Sequence, residues 1–165
     1  MKKVYYNWKD IEAAVIKIGN QMRDDNWHPD YIVGLTRGGL SPAVLLSQYT
    51  GVPMHTLKVS LRDEHNCESN LWMAEDEFNG KRIHIVDDIN DTGATLAWIK
   101  EDWQSSCSPK DQRWRAEGVF GTNVRIAAIV DNMSSNERIH YPSIKIDKSK
   151  EDCWVSFPWE EFWIK

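Results

Sequence analysis

Cationic side chains and long apolar runs are both scarce in this chain of 165 residues. The 20 Lys and Arg residues are outnumbered by 25 Asp and Glu residues, and the net charge of -5 argues against broad nucleic-acid binding. No apolar run is long enough to span a membrane, and charge comes too early in residues 1–10 for a signal peptide. We therefore expect a partner that is neither a nucleic acid nor a membrane.

Cysteine and histidine, the residue types that most often bind zinc, are few and scattered in this chain. The three cysteines, Cys67, Cys107 and Cys153, have neither CxxC spacing nor the even number of a disulfide framework, which favours the reducing cytoplasm. The five histidines also lack metal-ligand spacing, so we interpret them as surface or packing residues without a zinc site. They are His28, His55, His65, His84 and His140. No internal repeat divides the chain, and its length suits one domain, 1–165.

Apolar strands alternate with amphipathic helices along most of the chain. The predicted elements are a helix capped by Asn7 with apolar positions from Ile11 to Met22, a strand at 30–35, a helix at 41–49, strands at 54–60 and 83–87, a helix at 94–103, and strands at 124–130 and 143–146. This alternation predicts an α/β fold with a mainly parallel sheet flanked by helices.

Three segments depart from this pattern. Residues 61–79 are polar and irregular, and predict a long mobile loop. Residues 104–118 carry Ser, Pro and charges, and predict an insertion or loop. The aromatic stretch 153–159 is interrupted by proline, so it is not expected to form a regular helix.

The most informative segment is 85–96, with the sequence IVDDINDTGATL. An apolar strand carries Asp87 and Asp88 to the carboxyl edge of the sheet, where open α/β folds bind ligands. A turn holding Thr92, Gly93 and Thr95 then starts a helix, whose N-terminal amides favour a phosphate. The turn has no lysine and is not a Walker P-loop. The two carboxylates suit a diol or a magnesium ion instead.

A receiver-like α/β domain also ends a strand in acids, but it does not require Thr-Gly-Ala-Thr directly afterwards. A phosphate, a diol and a metal side by side describe a phosphorylated ribose. In this layout the segment resembles the phosphoribosyl pyrophosphate (PRPP) signature of the type I phosphoribosyltransferases. Asn90 stands where that family has an apolar residue.

The resemblance implies a type I phosphoribosyltransferase fold with a small C-terminal hood, and Mg2+ as cofactor. It implies that Asp87 and Asp88 position the ribose hydroxyls, with Asp88 also near the metal. Asp91 would accept a proton from the base or hold its imidazole edge. The 5'-phosphate would occupy the turn of Asp91, Thr92, Gly93, Ala94 and Thr95.

A second glycine turn precedes the acidic motif by about fifty residues, as the pyrophosphate-binding loop does in this family. It consists of Thr36, Arg37, Gly38 and Gly39, in which exposed amides and a fixed positive charge suit an anion. Arg62, in the predicted mobile loop, would add a second cation by the same resemblance. The alternative for Arg37 is a solvated surface cation.

The wider resemblance is to the bacterial xanthine-guanine phosphoribosyltransferases, and it covers most of the chain. There a C-terminal segment, here 147–165, covers the base; Trp154 would stack on it, and the backbone of Val155 would read its edge. The alternative is that Trp154, Trp159 and Trp163 only seal the core.

Two departures bear on activity and specificity. The Ser-Tyr pair of the mobile loop is Ser60-Leu61 here, and the lysine that contacts the purine 6-oxo group is replaced by Asp131, followed by Asn132. We expect Asn132 to turn an amide donor to the base; otherwise the pocket accepts a base with an amino group there.

The expected reaction is therefore transfer of phosphoribosyl from PRPP to a purine, with 6-oxopurines favoured, by a homodimer or homotetramer. The alternatives are a phosphoribosyltransferase for another base and a non-catalytic regulator of the same fold that senses PRPP or nucleotides. Against the regulator, the chain is acidic and shows no helix-turn-helix extension.

Overall fold

A computed structural model describes residues 1–59, 61, 67–68, 70–106 and 123–164. The elements are β1 (Lys2–Tyr5), α1 (Trp8–Asp24), β2 (Tyr31–Thr36), α2 (Leu40–Thr50), β3 (Met54–Lys58), α3 (Leu71–Phe78), β4 (Ile83–Asn90), α4 (Ala94–Ser106), β5 (Val124–Asn132), β6 (Tyr141–Ile146) and β7 (Cys153–Ser156). None of the helices in these ranges has the length and apolar character needed to cross a membrane.

A five-stranded sheet with the order β3-β2-β4-β5-β6 forms the centre, and every neighbouring pair is parallel. The predicted α/β fold is therefore confirmed. Chain progression reverses between β2 and β4, which is the position where open parallel sheets bind ligands at their carboxyl ends. A separate parallel pair joins β1 to β7.

Two apolar layers cover the faces of the sheet because side chains alternate along each strand. On one face, Ile32 and Val86 pack against α1 and α2. On the other face, Val33 and Ile85 pack against α3 and α4. Both faces of β2 and β4 are thus covered by packed helices, which fixes the positions from which the loops at their carboxyl ends begin.

The N-terminal cap predicted at Asn7 is confirmed. Its side chain accepts from the Asp10 N–H at 3.0 Å, and the Asp10 carboxylate accepts from the Asn7 N–H at 2.8 Å. Such reciprocal caps stabilise a helix by about 1 kcal/mol. Ile11 and Ile18 follow on the buried face.

Residues 71–78 correct the prediction of a loop throughout 61–79, because they form α3. Asn70 caps this helix by accepting from the Met73 N–H at 3.2 Å. Met73, Ala74 and Glu77 form its buried face, and the buried glutamate hid the amphipathic pattern. Residues 62–66 and 69, including the predicted pyrophosphate ligand Arg62, lie outside the described residues.

Several boundaries also differ from the sequence prediction. β4 continues three residues beyond Asp87, because Asp87, Ile89 and Asn90 keep their register with β5. Likewise, α4 extends through Ser106 into the predicted insertion, of which 107–118 lie outside the described residues. β1 was not predicted, since its four residues include two lysines and form a strand only by pairing with β7.

Candidate functional site

A polar cleft of about 760 Å³ lies at the carboxyl ends of β2 and β4. It brings together most of the predicted site. The predicted residues in its wall are Thr36, Arg37, Gly38, Asp87, Asp88, Asp91, Thr92, Gly93, Ala94, Thr95, Trp154 and Val155. Gly39 lies directly behind this wall, while Asp131 and Asn132 are not part of it.

Backbone amides hold the two adjacent acids of β4. The Asp88 N–H donates to Oδ1 of Asp87 at 2.9 Å, and the Ile89 N–H donates to Oδ1 of Asp88 at 2.7 Å. Both carboxylates are half-buried in the cleft wall. Carboxylate oxygens are acceptors suited to hydroxyl groups or a hard cation.

The turn after β4 places a helix N-terminus at the cleft. α4 begins at Ala94, and Thr92 and Ala94 are exposed there. The Ala94 N–H contacts Oγ1 of Thr92 at 3.3 Å. The first amides of a helix have no acceptor within the helix, and together with its dipole they attract an anion.

Gly93 is required by the geometry of the turn itself. Its φ of 90° lies in the region that only glycine adopts easily. A Cβ on Gly93 would lie 2.8 Å from the Glu137 backbone N, in the connection between β5 and β6. The phosphate turn therefore rests directly on that connection.

The loop after β2 lies against β4 through its two glycines. A Cβ on Gly38 would lie 2.0 Å from Oδ2 of Asp88, and one on Gly39 would lie 2.4 Å from the Val86 carbonyl oxygen. Arg37 is exposed in the cleft wall, and its peptide bond to Thr36 is cis. The loop thus brings the cation Arg37 and the closely packed Gly38 beside the paired acids.

The C-terminal tryptophans Trp154, Trp159 and Trp163 all line the cleft, but they differ in their packing. Trp159 packs on Trp8 and stacks on the buried Phe157, with ring centroids 5.8 and 4.9 Å apart. Trp154 is 46% exposed and lines the cleft, because β7 pairs with β1 and its neighbours Cys153 and Val155 face the core. Trp154 is therefore not enclosed in the core, and part of its side chain is accessible to solvent.

Asp131 and Asn132, which we expected at the base, lie behind the cleft wall and are hydrogen-bonded to the residues that form it. The Asn90 amide donates to Oδ1 of Asp131 at 2.8 Å and to the Glu137 carbonyl at 2.9 Å. Asn132 donates to the Asp91 carbonyl at 2.9 Å, and its Oδ1 accepts from Ser134. The polar Asn90, unusual at that place in the motif, thus joins β4 to β5 and its following connection.

Sequence reasoning missed Lys148, which lines the cleft beside Asp91. Its Nζ lies 2.9 Å from Oδ2 of Asp91. In the sequence this lysine stands in the polar run 147–152, where a charge predicts a solvated turn. Only the folded arrangement of the turn after β6 brings it to the cleft.

The described residues contain no group of three or more His, Cys, Asp or Glu side chains that could hold a metal by themselves. The paired acids still fit Mg2+, because this ion commonly takes only one or two protein carboxylates and completes its shell with substrate phosphates and water. Asp88, which lies against Gly38 of the Thr36–Gly39 loop, is the carboxylate that would hold such an ion.

The chain is similar to known proteins over nearly its whole length. The model of the phosphoribosyl transferase domain matches residues 2–163. A hypoxanthine-guanine phosphoribosyltransferase of Schizosaccharomyces pombe is 23% identical, with 96% of this chain and 89% of the relative covered. A xanthine phosphoribosyltransferase 1 of Saccharomyces cerevisiae is 20% identical, with 96% and 90% covered.

Among solved structures, a purine phosphoribosyltransferase from Pyrococcus horikoshii superposes with a TM-score of 0.69 and 28% identity, covering 98% of this chain and 96% of that one. The family match extends over nearly the whole chain and includes all the residues of the cleft wall. The predicted enzyme class, a glycosyltransferase, is confirmed with it. The chain belongs to the phosphoribosyl transferase domain family.

Proposed function

We propose that this protein transfers the 5-phosphoribosyl group of PRPP to a purine base and releases pyrophosphate. One observation carries the proposal: a single cleft is lined by a helix N-terminus, two adjacent carboxylates and an exposed tryptophan. These three features suit a phosphate, the ribose hydroxyls and a base. The family match and the names of the relatives support the same reaction.

In this proposal the 5'-phosphate binds at the turn 91–95, where the helix amides and threonine hydroxyls are donors. Asp87 and Asp88 accept from the ribose hydroxyls. The pyrophosphate lies against the loop Thr36–Gly39, where Arg37 supplies positive charge. Arg62 keeps its proposed role as a second pyrophosphate ligand.

Asp88 would hold Mg2+ together with oxygens of PRPP, and the bound ion would help neutralise the pyrophosphate as it leaves. The side chains of the protein contribute by holding the ribose, the pyrophosphate and the base in position for the reaction. The bond from C1 of the ribose to pyrophosphate oxygen breaks, and a bond from C1 to a base nitrogen forms. Asp91 accepts the proton that the nitrogen loses.

No protein nucleophile is needed, because charge on the ribose ring resembles that of an oxocarbenium ion in the transition state. Preorganised carboxylates beside that ring stabilise the positive charge. The base stacks on Trp154, and the backbone of Val155 contacts its edge. The names of the yeast relatives, hypoxanthine-guanine and xanthine phosphoribosyltransferase, favour 6-oxopurines.

The proposal also includes a cytoplasmic homo-oligomer, dimer or tetramer. Val44 on α2 is an exposed apolar side chain outside the cleft wall, which suits a contact between copies. Light scattering after size-exclusion chromatography measures the mass directly. A monomer at micromolar concentration would contradict the proposed oligomer without bearing on the proposed reaction.

The function is tested by measuring pyrophosphate release and nucleotide formation from PRPP, Mg2+ and a panel of bases. We expect turnover with at least one of hypoxanthine, guanine and xanthine. No turnover with any base, although PRPP binds, would contradict the enzyme and favour a PRPP-sensing regulator.

A matched pair of tryptophan variants tests the base site. Trp154→Ala removes the proposed stacking surface, which should raise KM for the base roughly tenfold, since base stacking contributes about 1–3 kcal/mol. Trp72→Ala removes a tryptophan that is equally exposed, at 45%, but lies outside the cleft. It should leave KM for the base unchanged. Equal effects of the two variants would contradict the assignment.

A further inference from the structure

Asn90 is a buried amide at the end of β4, directly before the turn 91–95, and it is only 3% exposed. Its two N–H groups donate to Oδ1 of Asp131 at 2.8 Å and to the Glu137 carbonyl at 2.9 Å. Its Oδ1 accepts from Oγ of Ser135 at 2.9 Å. An asparagine side chain has two N–H donors, so neither is left for a ligand in the cleft. The contacts of Asn90 therefore hold other residues in place.

Two of these partners lie in the connection between β5 and β6, residues 133–140. Ser135 stiffens this connection, because its Oγ accepts from the Glu137 N–H at 3.2 Å. The Glu137 carboxylate pairs with the ammonium of Lys100 on α4, and the two side chains are 21% and 33% exposed. The connection is thus anchored both to the end of β4 and to the helix that follows the turn 91–95.

This anchored connection contacts the turn 91–95 directly. The Asn136 N–H donates to the Thr92 carbonyl at 3.1 Å. A Cβ on Gly93 would lie 2.8 Å from the Glu137 backbone N, so the two backbones are in close contact. A displacement of the connection therefore displaces the turn as well.

The hydrogen bond from Asn136 orients an amide of the turn. The peptide bond between Thr92 and Gly93 is trans, since the one cis bond among the described residues joins Thr36 to Arg37. In a trans peptide the N–H points opposite to the carbonyl. The Thr92 carbonyl points to Asn136, so the N–H of Gly93 points away from the connection, and Gly93 lines the cleft. Such amides are the donors that a phosphate at a helix N-terminus needs.

We propose that Asn90 is a positioning residue for the 5'-phosphate of PRPP. By holding Ser135 and Glu137, it fixes the connection that orients the amides of the turn 91–95. An apolar residue at position 90 would remove all three hydrogen bonds, and the connection would lose its anchor on β4. The inference rests on the proposed function, which it deepens by naming a residue that sets affinity for the phosphate.

Two variants remove this anchor to different degrees. Asn90→Leu removes all three hydrogen bonds and keeps the number and branching of the heavy atoms in the side chain. Ser135→Ala removes the bonds that its Oγ makes with Asn90 and with the Glu137 N–H.

Ser47→Ala is the matched control for Ser135→Ala. The Ser47 hydroxyl is also half-buried and also belongs to a connection between elements, where it donates to the Val52 carbonyl between α2 and β3. Neither serine lies in the cleft wall. The control therefore costs a comparable hydrogen bond without touching the contacts of the turn 91–95.

For each protein, KM of PRPP and KM of the base are measured separately, each with the other substrate at saturation. Calorimetry gives the dissociation constants of guanosine 5'-monophosphate and of guanosine, which differ only in the 5'-phosphate. The melting temperature reports on stability.

For Asn90→Leu we expect KM of PRPP to rise roughly tenfold, the effect of about one lost hydrogen bond to a charged group, and KM of the base to stay unchanged. Affinity for guanosine 5'-monophosphate should fall by a similar factor, and affinity for guanosine should not change. Ser135→Ala should raise KM of PRPP by roughly threefold. Ser47→Ala should lower the melting temperature and keep both KM values of the wild type.

An unchanged KM of PRPP in both Asn90→Leu and Ser135→Ala would overturn the inference. An equal loss of affinity for guanosine, or an equal rise in KM of PRPP for Ser47→Ala, would overturn it as well. If Asn90→Leu does not fold, Ser135→Ala decides alone. Failure of the proposed function is a different result: the wild type would release no pyrophosphate with any base, while the comparison of guanosine 5'-monophosphate with guanosine would still test the phosphate contact.

Discussion

The two ends of strand β4 have opposite characters although they belong to one strand. At the amino end, Ile83, His84 and Ile85 are fully buried. At the carboxyl end, Asp87 and Asp88 are half-buried and face the cleft. The first group stabilises the sheet, and the second remains accessible to a ligand. A parallel sheet permits this division, because its loops at the carboxyl ends can be open while its other end is packed.

His84 shows how a polar residue is used at the packed end. It is 0% exposed, and its ring stands edge-on to Trp27 and Tyr141, with centroids 5.4 and 5.6 Å away. Burial, followed by the nearby charges of His140 and Arg125, lowers the pKa of His84 to about 3. The neutral imidazole therefore serves as a packed ring, whereas the carboxylates at the other end serve as acceptors.

Asp88→Asn should show most clearly that the carboxyl end of β4 serves function and its amino end serves stability. Loss of this charge should lower kcat/KM by about a hundredfold to a thousandfold, the usual effect of removing one preorganised electrostatic group. The melting temperature should stay the same or rise, since Asp87 loses a like-charged neighbour. Asp24→Asn, at an exposed site on α1, is the control and should retain activity. Full activity of Asp88→Asn would place the chemistry elsewhere.

Two glycines flank β4 and offer a matched comparison. Gly80 and Gly93 both have φ of 90°, but a Cβ on Gly80 would meet nothing within 4 Å. Gly80→Ala should lower the free energy of unfolding by roughly 1–2 kcal/mol through backbone strain alone. Gly93→Ala should lower it more, because its Cβ also meets the Glu137 backbone, and it should weaken PRPP binding.

Urea denaturation and calorimetry with PRPP measure these two effects. Gly80→Ala should leave PRPP affinity at the wild-type value. Equal losses of stability in both variants would mean that the close packing of Gly93 against the β5–β6 connection does not affect the free energy of unfolding.

The buried His84 predicts acid sensitivity. The unfolded chain takes up this proton near pH 6.5 and the folded chain only near pH 3, so the stabilising contribution is complete above pH 6.5 and is lost as pH falls. Through this group, the free energy of unfolding can fall by at most about 1.4 kcal/mol per pH unit. His84→Phe should remove this dependence on pH without changing activity at pH 7.5.

Urea denaturation of the wild type and His84→Phe between pH 4 and 8 provides the measurement. The difference in free energy of unfolding should be constant above pH 7 and should shift in favour of the variant below pH 6.5. Parallel curves over the whole range would show that His84 is not held neutral in the fold.

Glu77 predicts a smaller effect of opposite sign. It is 2% exposed, and burial raises its pKa to about 7 despite a hydrogen bond from Asn123. The raised pKa means that the folded chain retains this proton to higher pH than the unfolded chain, so the contribution is complete below pH 4.5 and is lost as pH rises through about 7. The free energy of unfolding of Glu77→Gln minus that of the wild type should therefore be larger at pH 8 than at pH 5. A pH-independent difference in the free energy of unfolding would contradict this.

The sequence was most informative where function and local structure share one contiguous segment. The run from Ile85 to Leu96 combines a strand, a turn and a helix start, so its role could be predicted without tertiary contacts. The helix α3 was missed because its buried face includes Glu77, which makes an amphipathic helix look like a polar loop.

The support of the site could not be predicted, because it depends on contacts between distant segments. Asn90, Asn132 and Lys148 lie on β4, on β5 and after β6, and only the sheet brings them together. Their hydrogen bonds also explain why Asn132 does not face the cleft. A short-range pattern contains no signal for such a bridge.

A crystal structure with guanosine 5'-monophosphate tests the central claim most directly. The account predicts the 5'-phosphate at the amides of residues 92–95, the ribose hydroxyls within hydrogen-bonding distance of Asp87 and Asp88, and the base on Trp154. A nucleotide whose phosphate lies at the loop Thr36–Gly39, or outside the cleft at the carboxyl end of β4, would contradict it.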